Sequence, residues 1–169
     1  MKIIIILAMH GMPPNDFPKK ETLDYFMLHS RIENMPGSPP PILQQQYKEL
    51  DIKMRSWPRT QENDSYYYAS NELAEATSNQ TGYKVIVGFN EFCSPSLDEA
   101  FDAASKYGSE KIIVITPMMT RGGEHSEKDI PEAIERAKIK SPSTQFSYVW
   151  PFNISKVAAF LTEQIQECY

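Results

Sequence analysis

The sequence has few cysteines and no long apolar run, and each shortage excludes a class of protein. Its two cysteines, Cys93 and Cys168, are too few for a disulfide framework or a zinc motif, so we expect a reduced, cytoplasmic setting. No apolar run reaches the roughly 18 residues that a membrane span requires. The opening MKIIIILAM lacks a small-residue cleavage site, so it predicts a buried strand and not a signal peptide.

Positive charge is also scarce. The 169 residues include 17 Lys and Arg against 22 Asp and Glu, which gives a net charge of -5. A general surface for nucleic acid or for an anionic membrane would need the opposite balance, so we expect neither partner. The length fits one domain with a sizeable core.

Four short apolar runs predict the strands of a sheet: KIIIILAM (2–9), KVIVGFN (84–90), KIIVITP (111–117) and FSYVWP (146–151). The first three are nearly continuous and rich in Ile and Val, which is typical of parallel strands covered on both faces. Helical patterns follow the last three runs. The sequence therefore predicts an α/β fold with a doubly wound, mainly parallel four-stranded sheet and helices on both faces.

Capping signals indicate where two of the helices begin. Ser96 and Glu99 have the spacing of a capping box, and Gly108 follows the helical pattern that they open. For the next helix we predict Asp129 as the N-cap, with Pro131 in the first turn.

The segment between the first two strands is unusually long. A crossover needs about a dozen residues, whereas roughly seventy lie between these strands. They include two proline-rich stretches and three helical patterns, the last of which ends at Gly82. We predict a single domain over residues 1–169 with a helical insertion at about 12–65.

Polar residues follow the first three strands, at the edge where ligands bind in open α/β sheets. His10 and Gly11 follow the first strand, Asn90 and Glu91 follow the second, and His125 lies in the loop after the third. Imidazole binds Co, Ni, Fe and Zn, and two histidines leave coordination positions free for water or substrate. We predict His10 and His125 as metal ligands, and Glu91 as a general acid or base or as a third polar contact in the same crevice.

Simpler interpretations suit the neighbouring residues. No base is evidently paired with Cys93, so we interpret it as a small buried residue. We interpret His29, inside the insertion, as a surface or packing residue. The pair Gly122–Gly123 would allow the backbone to approach a flat ligand closely.

Three stretches combine a strand, a polar loop and in two cases a helix start: IIIILAMHG, VIVGFNEFCSPSLDEAFDAA and KIIVITPMMTRGGEHSEKDIPEAIERA. Together they resemble the class II tetrapyrrole chelatases, in particular the small sirohydrochlorin chelatases. The resemblance covers about residues 1–11 and 83–168. The chain departs from the family at Met12, where a small polar residue is usual, and in the length of the 11–82 segment.

The resemblance implies an enzyme, a lyase that inserts a divalent metal into a sirohydrochlorin-type tetrapyrrole and releases two protons. Co²⁺ is the expected metal, with Ni²⁺ and Fe²⁺ as alternatives, and no organic cofactor is implied. His10 and His125 would be the metal ligands, and Glu91 would face the macrocycle. Cobalamin biosynthesis is the expected pathway, although siroheme and nickel-cofactor pathways fit the same motifs.

The substrate and the single sheet unit imply further contacts. A sirohydrochlorin carries many carboxylates, so we expect cations of the insertion (Lys19, Lys20, Arg31, Arg55 and Arg59) to pair with it. The predicted substrate-binding residues are Gly11, Arg55, Arg59, Arg121, Gly122 and Gly123. Because larger chelatases have two similar halves around one cavity, the resemblance implies a homodimer. Alternatively, the insertion of this chain supplies the missing wall of the cavity or the dimer contacts, and the sequence does not choose between these.

Two other functions remain open at this point. A carrier of metal or metallated tetrapyrrole would use the same two histidines without turnover. A flavodoxin-like protein would use Gly122–Gly123 to bind phosphate, but no Gly-rich loop follows the first strand and the third-strand loop is acidic.

Overall fold

The computed structural model describes all 169 residues, which form four strands and six α-helices. In chain order these are β1 (Ile3–Met9), α1 (Lys19–Glu33), α2 (Pro41–Arg55), α3 (Ser65–Thr81), β2 (Lys84–Phe89), α4 (Leu97–Lys106), β3 (Lys111–Ile115), α5 (Ile130–Lys140), β4 (Gln145–Tyr148) and α6 (Ile154–Gln166). A π-helical turn over His125–Asp129 leads directly into α5.

The strands form one parallel sheet in the order β2-β1-β3-β4. Ile6 of β1 lies between Ile86 of β2 and Val114 of β3, so β1 is a central strand. The chain moves to one side of β1 for β2 and then to the other side for β3. Ligands bind at such a switch point in open α/β sheets. The predicted α/β fold, with its parallel four-stranded sheet, is confirmed.

Successive side chains of a strand point to opposite faces, and both faces of this sheet are covered. On one face Ile4 and Ile6 pack in a cluster with buried residues of α4 and α5, such as Phe101 and Ile130. On the other face a second cluster joins Leu7 and Met9 of β1 to Phe17, Tyr25, Met54, Ala74, Val87, Phe89, Phe92 and Cys93. Buried aliphatic side chains on both faces explain why β1 has no polar alternation.

The capping predictions had mixed outcomes. Ser96 and Glu99 form the predicted capping box at the start of α4, and Gly82 ends α3 in the left-handed conformation, with φ 71°. The prediction for Asp129 was wrong. Its backbone is already helical and its side chain caps no N–H group, because the π-helical turn starts the helix one turn earlier.

Two helices, α1 and α2, occupy the segment that we predicted as an insertion, and Tyr25 and Met54 anchor them in the second core cluster. Its status as an insertion into a smaller chelatase unit stays a prediction. The terminal helix α6 contains no buried residue. None of the helices combines the length and apolar character needed to cross a bilayer.

Candidate metal centre

The carboxyl ends of β1, β2 and β3 bring three predicted site residues together. His10, Glu91 and His125 each offer a ligand atom within 4.8 Å of the others. The two imidazole rings meet edge to face, with 4.5 Å between their centroids. Metal–ligand bonds of about 2.0–2.2 Å place ligand atoms of one ion up to roughly 4 Å apart, so small side-chain rotations would let these three residues share an ion.

The orientation of His10 leaves one ring nitrogen for a metal. Its Nδ1 lies 2.7 Å from the carbonyl oxygen of Gly11. A carbonyl only accepts, so Nδ1 carries the proton and Nε2 carries the lone pair. The ring also stacks on Phe92, with 6.1 Å between the centroids. This packing and this hydrogen bond fix the ring and leave Nε2 available to bind a metal.

His125 is oriented in the same way, but by a carboxylate. Its Nδ1 lies 2.6 Å from Oδ2 of Asp129, one turn later, and its Nε2 lies 3.8 Å from Oε2 of Glu91. A carboxylate behind a histidine fixes the ring and makes the opposite nitrogen a better donor to a metal. Asp129 therefore orients His125 through its side chain. π-Helical turns occur often at functional sites.

The loop after β2 is tied to the end of β1 by backbone hydrogen bonds. The N–H of Glu91 donates to the carbonyl of His10 at 2.9 Å, and the N–H of Asn90 donates to that of Met9 at the same distance. Phe92 follows with a positive φ of 60°. Such a conformation is costly for a bulky residue and is concentrated at functional sites. It directs the buried Phe92 ring beneath His10 while Glu91 stays half-buried in the crevice.

Gly11 provides the space for this contact. A Cβ at Gly11 would lie 1.9 Å from the carbonyl oxygen of Glu91, and the φ of Gly11 is +97°. Substituting Gly11→Ala should push the Glu91 loop away from His10. We expect Co²⁺ affinity to fall at least about tenfold, measured by calorimetry on the full chain.

Gly82→Ala is a matched control for that substitution. Gly82 also has a positive φ, of +71°, but a Cβ there would meet nothing within 4 Å. Both variants should lose thermal stability from backbone strain, whereas only Gly11→Ala should lose metal affinity. Equal Co²⁺ affinities of the two variants would contradict this role of Gly11.

A cavity of about 480 Å³ opens beside His125 and Glu91. Its other lining residues come from the loops and from the helices of the predicted insertion: His29, Glu33, Tyr47, Arg55, Asn90, Glu124 and Asp129. The sequence interpretation of His29 as a surface or packing residue therefore missed its place in the cleft. The available signal was the pair His29 and Glu33, one turn apart on the same helix face.

Arg55 reaches the cavity, but its guanidinium group already has partners. It binds the carboxylate of Asp51 at 2.8 Å, and the carbonyls of Asn90 and Cys93, each at 2.8 Å. Arg55 therefore ties α2 to the loop that carries Glu91. Its role as a substrate-binding residue stays a prediction.

The structure corrects the expected position of Arg59. Its side chain is only 7% exposed and forms an ion pair of 2.8 Å with Asp64, which is 1% exposed. The same guanidinium donates to the carbonyls of Met12, Met54 and Phe92. Arg59 thus joins segments of the chain inside the fold and does not face the cavity. Lys19 and Arg31 also lie away from it, along other grooves.

The loop after β3 contributes one residue to a separate cavity and two residues to the turn before the helix. Arg121 is exposed and lines a separate cavity of about 610 Å³ with Phe152 and the start of α6. The N–H of Gly122 donates to Glu127, and the carbonyl of Gly123 accepts from Ser126, so both glycines shape the turn before the helix. None of these three lines the cavity that contains His125.

Cys93 is fully buried, as predicted. Its Sγ lies 3.5 Å from the carbonyl of Met12 and 3.5 Å from Asp64. Burial raises the pKa of its thiol to about 11. A thiol that stays protonated at neutral pH is a poor nucleophile, which agrees with the interpretation of Cys93 as a small buried residue.

Comparison with known proteins gives one consistent family. The profile of the CbiX family matches residues 61–168. The chain is 29% identical over 82 residues to sirohydrochlorin ferrochelatase of Priestia megaterium, a match covering 48% of this chain and 30% of that protein. It is 33% identical over 64 residues to sirohydrochlorin cobaltochelatase of Methanopyrus kandleri, covering 37% and 44%. The matches span less than half the length of these curated relatives.

Solved structures agree at the level of the fold. The structure superposes on a CbiX protein from Marinobacter aquaeolei VT8 with a TM-score of 0.57 and 18% sequence identity, covering 98% of this chain and 95% of that one. The sheet, the family match over most of the chain and the sequence motifs therefore lead to the same assignment. The chain belongs to the CbiX family of small class II tetrapyrrole chelatases.

Proposed function

We propose that this chain is a metal chelatase that inserts Co²⁺, or alternatively Ni²⁺ or Fe²⁺, into a sirohydrochlorin-type tetrapyrrole. The observation that supports it most directly is the convergence of His10, Glu91 and His125 within 4.8 Å at the switch point of the sheet. The names of the relatives, one a ferrochelatase and one a cobaltochelatase, favour the reaction class without selecting the metal. Imidazole ligands suit all three ions.

In the proposed reaction the metal is a substrate held for transfer. His10 and His125 bind it through Nε2 and Glu91 through a carboxylate oxygen, which leaves its remaining positions for water and for the macrocycle. Neutral imidazoles hold the ion without adding negative charge. As bonds form between the metal and the pyrrole nitrogens, the bonds from the metal to the histidines break.

Two pyrrole N–H bonds must also break, and their protons need acceptors. Glu91 lies beside His10 and His125 and is half-buried, so it can accept one proton as the ion departs. A histidine released by the ion can accept the other. Both protons then pass to solvent through the open cavity. The balance is one divalent ion bound to the macrocycle for two protons released.

The cleft is negatively charged, which favours the metal ion over the acid groups of the tetrapyrrole. Four carboxylates line the cavity beside His125, namely Glu33, Glu91, Glu124 and Asp129. They attract a cation and repel the acid groups of a tetrapyrrole. We propose that the macrocycle's carboxylates lie outside this cavity and that exposed Arg121 pairs with one of them. Contacts from Gly11, Arg55, Gly122 and Gly123 stay predictions.

A homodimer and a cytoplasmic location also stay predictions. The exposed apolar residues of α6, which include Phe160, Leu161 and Ile165, would suit a contact between two copies. The family assignment removes the flavodoxin-like alternative, because the third-strand loop belongs to a chelatase motif. The carrier alternative uses the same ligands and needs an experiment.

The decisive experiment is an insertion assay with the full chain at a tenth of the concentration of sirohydrochlorin. Co²⁺, Ni²⁺ and Fe²⁺ are added in turn without oxygen, and the absorption spectrum is followed against a reaction without protein. We expect conversion of all the sirohydrochlorin with at least one metal. Conversion that stops at one equivalent per chain, or rates equal to the protein-free reaction, would refute the chelatase function. In either case, Co²⁺ or metallated product that stays bound to the chain would identify a carrier.

A further inference from the structure

The helix α1 brings a third imidazole, that of His29, to the metal cleft. His29 Nε2 lies 3.7 Å from Oε1 of Glu91 and 3.4 Å from Oε1 of Glu33, one turn further along α1. Each of these two distances is compatible with ligand atoms around one ion, which lie roughly 3 to 4 Å apart for bonds of about 2.1 Å. Only His10, Glu91 and His125 already offer ligand atoms that all lie within 4.8 Å of one another. Glu33 and Glu91 must therefore rotate toward each other to share an ion with His29.

Glu91 lies between this histidine and the centre described above. Its Oε1 faces His29, and its Oε2 faces His125 at 3.8 Å. A carboxylate that presents one oxygen to each side can bridge two cations, and bridged pairs are typically about 3.5–4 Å apart. The same side chain can also pass one cation from the first side to the second.

Aromatic packing holds the His29 ring in this orientation. The ring stacks on Tyr25, with 6.2 Å between centroids and 9° between planes, and on Tyr47, at 5.5 Å and 30°. The hydroxyl groups of these tyrosines are 2.9 Å apart, and Tyr25 is fully buried. A ring fixed by packing is better suited to hold a ligand than a mobile surface histidine.

Solvent exposure falls from Glu33 through His29 to Glu91 and His125, which are almost equally shielded. The side chain of Glu33 is 47% exposed, that of His29 30%, that of Glu91 18% and that of His125 17%. A hydrated ion would therefore meet Glu33 and His29 first and lose water as it moves inward. The one arginine of the cavity, Arg55, is paired with Asp51, so it does not cancel the negative charge.

We propose that His29, Glu33 and Oε1 of Glu91 form a second divalent-cation site, which captures the ion and transfers it through Glu91 to His10 and His125. This inference deepens the proposed function, because it rests on the inner histidines being the delivery site. Motion of the Glu91 carboxylate from one imidazole to the other would carry the ion inward, with each new bond replacing a bond to water or to His29.

The test uses Co²⁺ alone with the full chain, without tetrapyrrole. Calorimetry and visible absorption at neutral pH should show two Co²⁺ ions per chain, one bound more weakly than the other. His29→Gln and Glu33→Gln should each remove the weaker ion and retain the tighter one. Glu72→Gln, on the exposed face of α3, is the matched control for a lost carboxylate and should bind two.

Stopped-flow loading gives a second measurement. At Co²⁺ concentrations below saturation, His29→Gln should fill the inner site about tenfold more slowly, since clefts that concentrate ions accelerate association by that order or more. A wild-type chain that binds one Co²⁺, or a His29→Gln chain that still binds two, would overturn the second site.

The two proposals can fail separately. If His29→Gln binds Co²⁺ as the wild type does while sirohydrochlorin is still metallated, the second site is refuted and the chelatase function stands. If two Co²⁺ ions bind and His29→Gln removes one, but no sirohydrochlorin is converted, the second site stands and the chelatase function is refuted.

Discussion

Replacing both His10 and His125 by alanine is expected to lower the rate of metal insertion at least about a hundredfold. Loss of one outer partner of a metal ligand already costs about 10–100-fold in affinity or activity, and this variant removes two ligands. The initial rate of the sirohydrochlorin absorbance change gives the measurement. Each single variant should retain measurable Co²⁺ binding, because one imidazole and Glu91 remain.

The fold should survive this double substitution. The backbone N–H of His10 donates to the Tyr66 hydroxyl, and the His10 carbonyl accepts from Glu91, and alanine preserves both contacts. The His125 side chain makes one hydrogen bond, with Asp129, whose own side chain is 36% exposed and so remains accessible to water when that bond is lost. Unfolding midpoints should therefore stay close to that of the wild type. A double variant with the wild-type insertion rate would refute the two-histidine centre.

Asp129→Asn tests the residue that orients His125. The amide can still accept a hydrogen bond from Nδ1 of His125, but it carries no negative charge, so His125 should become a weaker donor to the metal. We expect a smaller loss than in the alanine variants, of roughly tenfold in Co²⁺ affinity. The order of the losses separates ligands from the residue that orients one of them.

The substitution Arg59→Gln is expected to have the largest effect on stability, about 3–5 kcal/mol in the free energy of unfolding. Glutamine would leave the buried Asp64 carboxylate without its cation. It would also leave the carbonyls of Met12, Met54 and Phe92 without the donors they now have. With a urea dependence of about 1–3 kcal/mol per M, the unfolding midpoint should fall by more than about 1 M.

Arg136→Gln is the matched control for Arg59→Gln. Arg136 also pairs with an aspartate, Asp98, at 2.9 Å, but the two side chains are 52% and 41% exposed. Water screens such a pair, so its loss should cost about 1 kcal/mol or less. Equal unfolding midpoints for the two variants would contradict the structural role of Arg59.

A double-mutant cycle tests the same pair from the other side. Asp64→Asn keeps an acceptor for the N–H of Tyr67, so the start of α3 stays capped. With Asp64→Asn already present, Arg59→Gln should cost less than in the wild type, because no unpaired buried carboxylate remains. Additive losses would show that the ion pair does not couple the two residues.

Much of the metal centre could be predicted from the order of residues along the chain. His10, Glu91 and His125 directly follow or lie just beyond three apolar runs, and the carboxyl ends of parallel strands meet at one edge. The prediction therefore needed only the strands and their parallel direction. The same reasoning could not predict the position of His29, because the sequence does not fix where a helix in a long connection lies relative to the end of a strand.

The burial of Arg59 was equally impossible to predict from the sequence. In the sequence it is one of several cations in a polar, proline-containing segment, and that composition favours exposure. Its burial depends on where Asp64 and Phe92 lie after folding, and these residues come from different elements of the chain. Desolvation is a property of the assembled environment, so no local pattern predicts it.

By itself the sequence determined the strands, the sheet class and the three residues at its carboxyl edge, because these follow from local apolar periodicity and chain order. Only the tertiary structure decided that Asp129 orients His125, that Arg59 is buried, and that His29 and Glu33 face Glu91 across the cleft. The physical reason is the packing of Tyr25, Met54 and Phe92 in one cluster. That packing places α1 and α2 against the site, and contacts between residues so distant in the chain exist only once the core has formed.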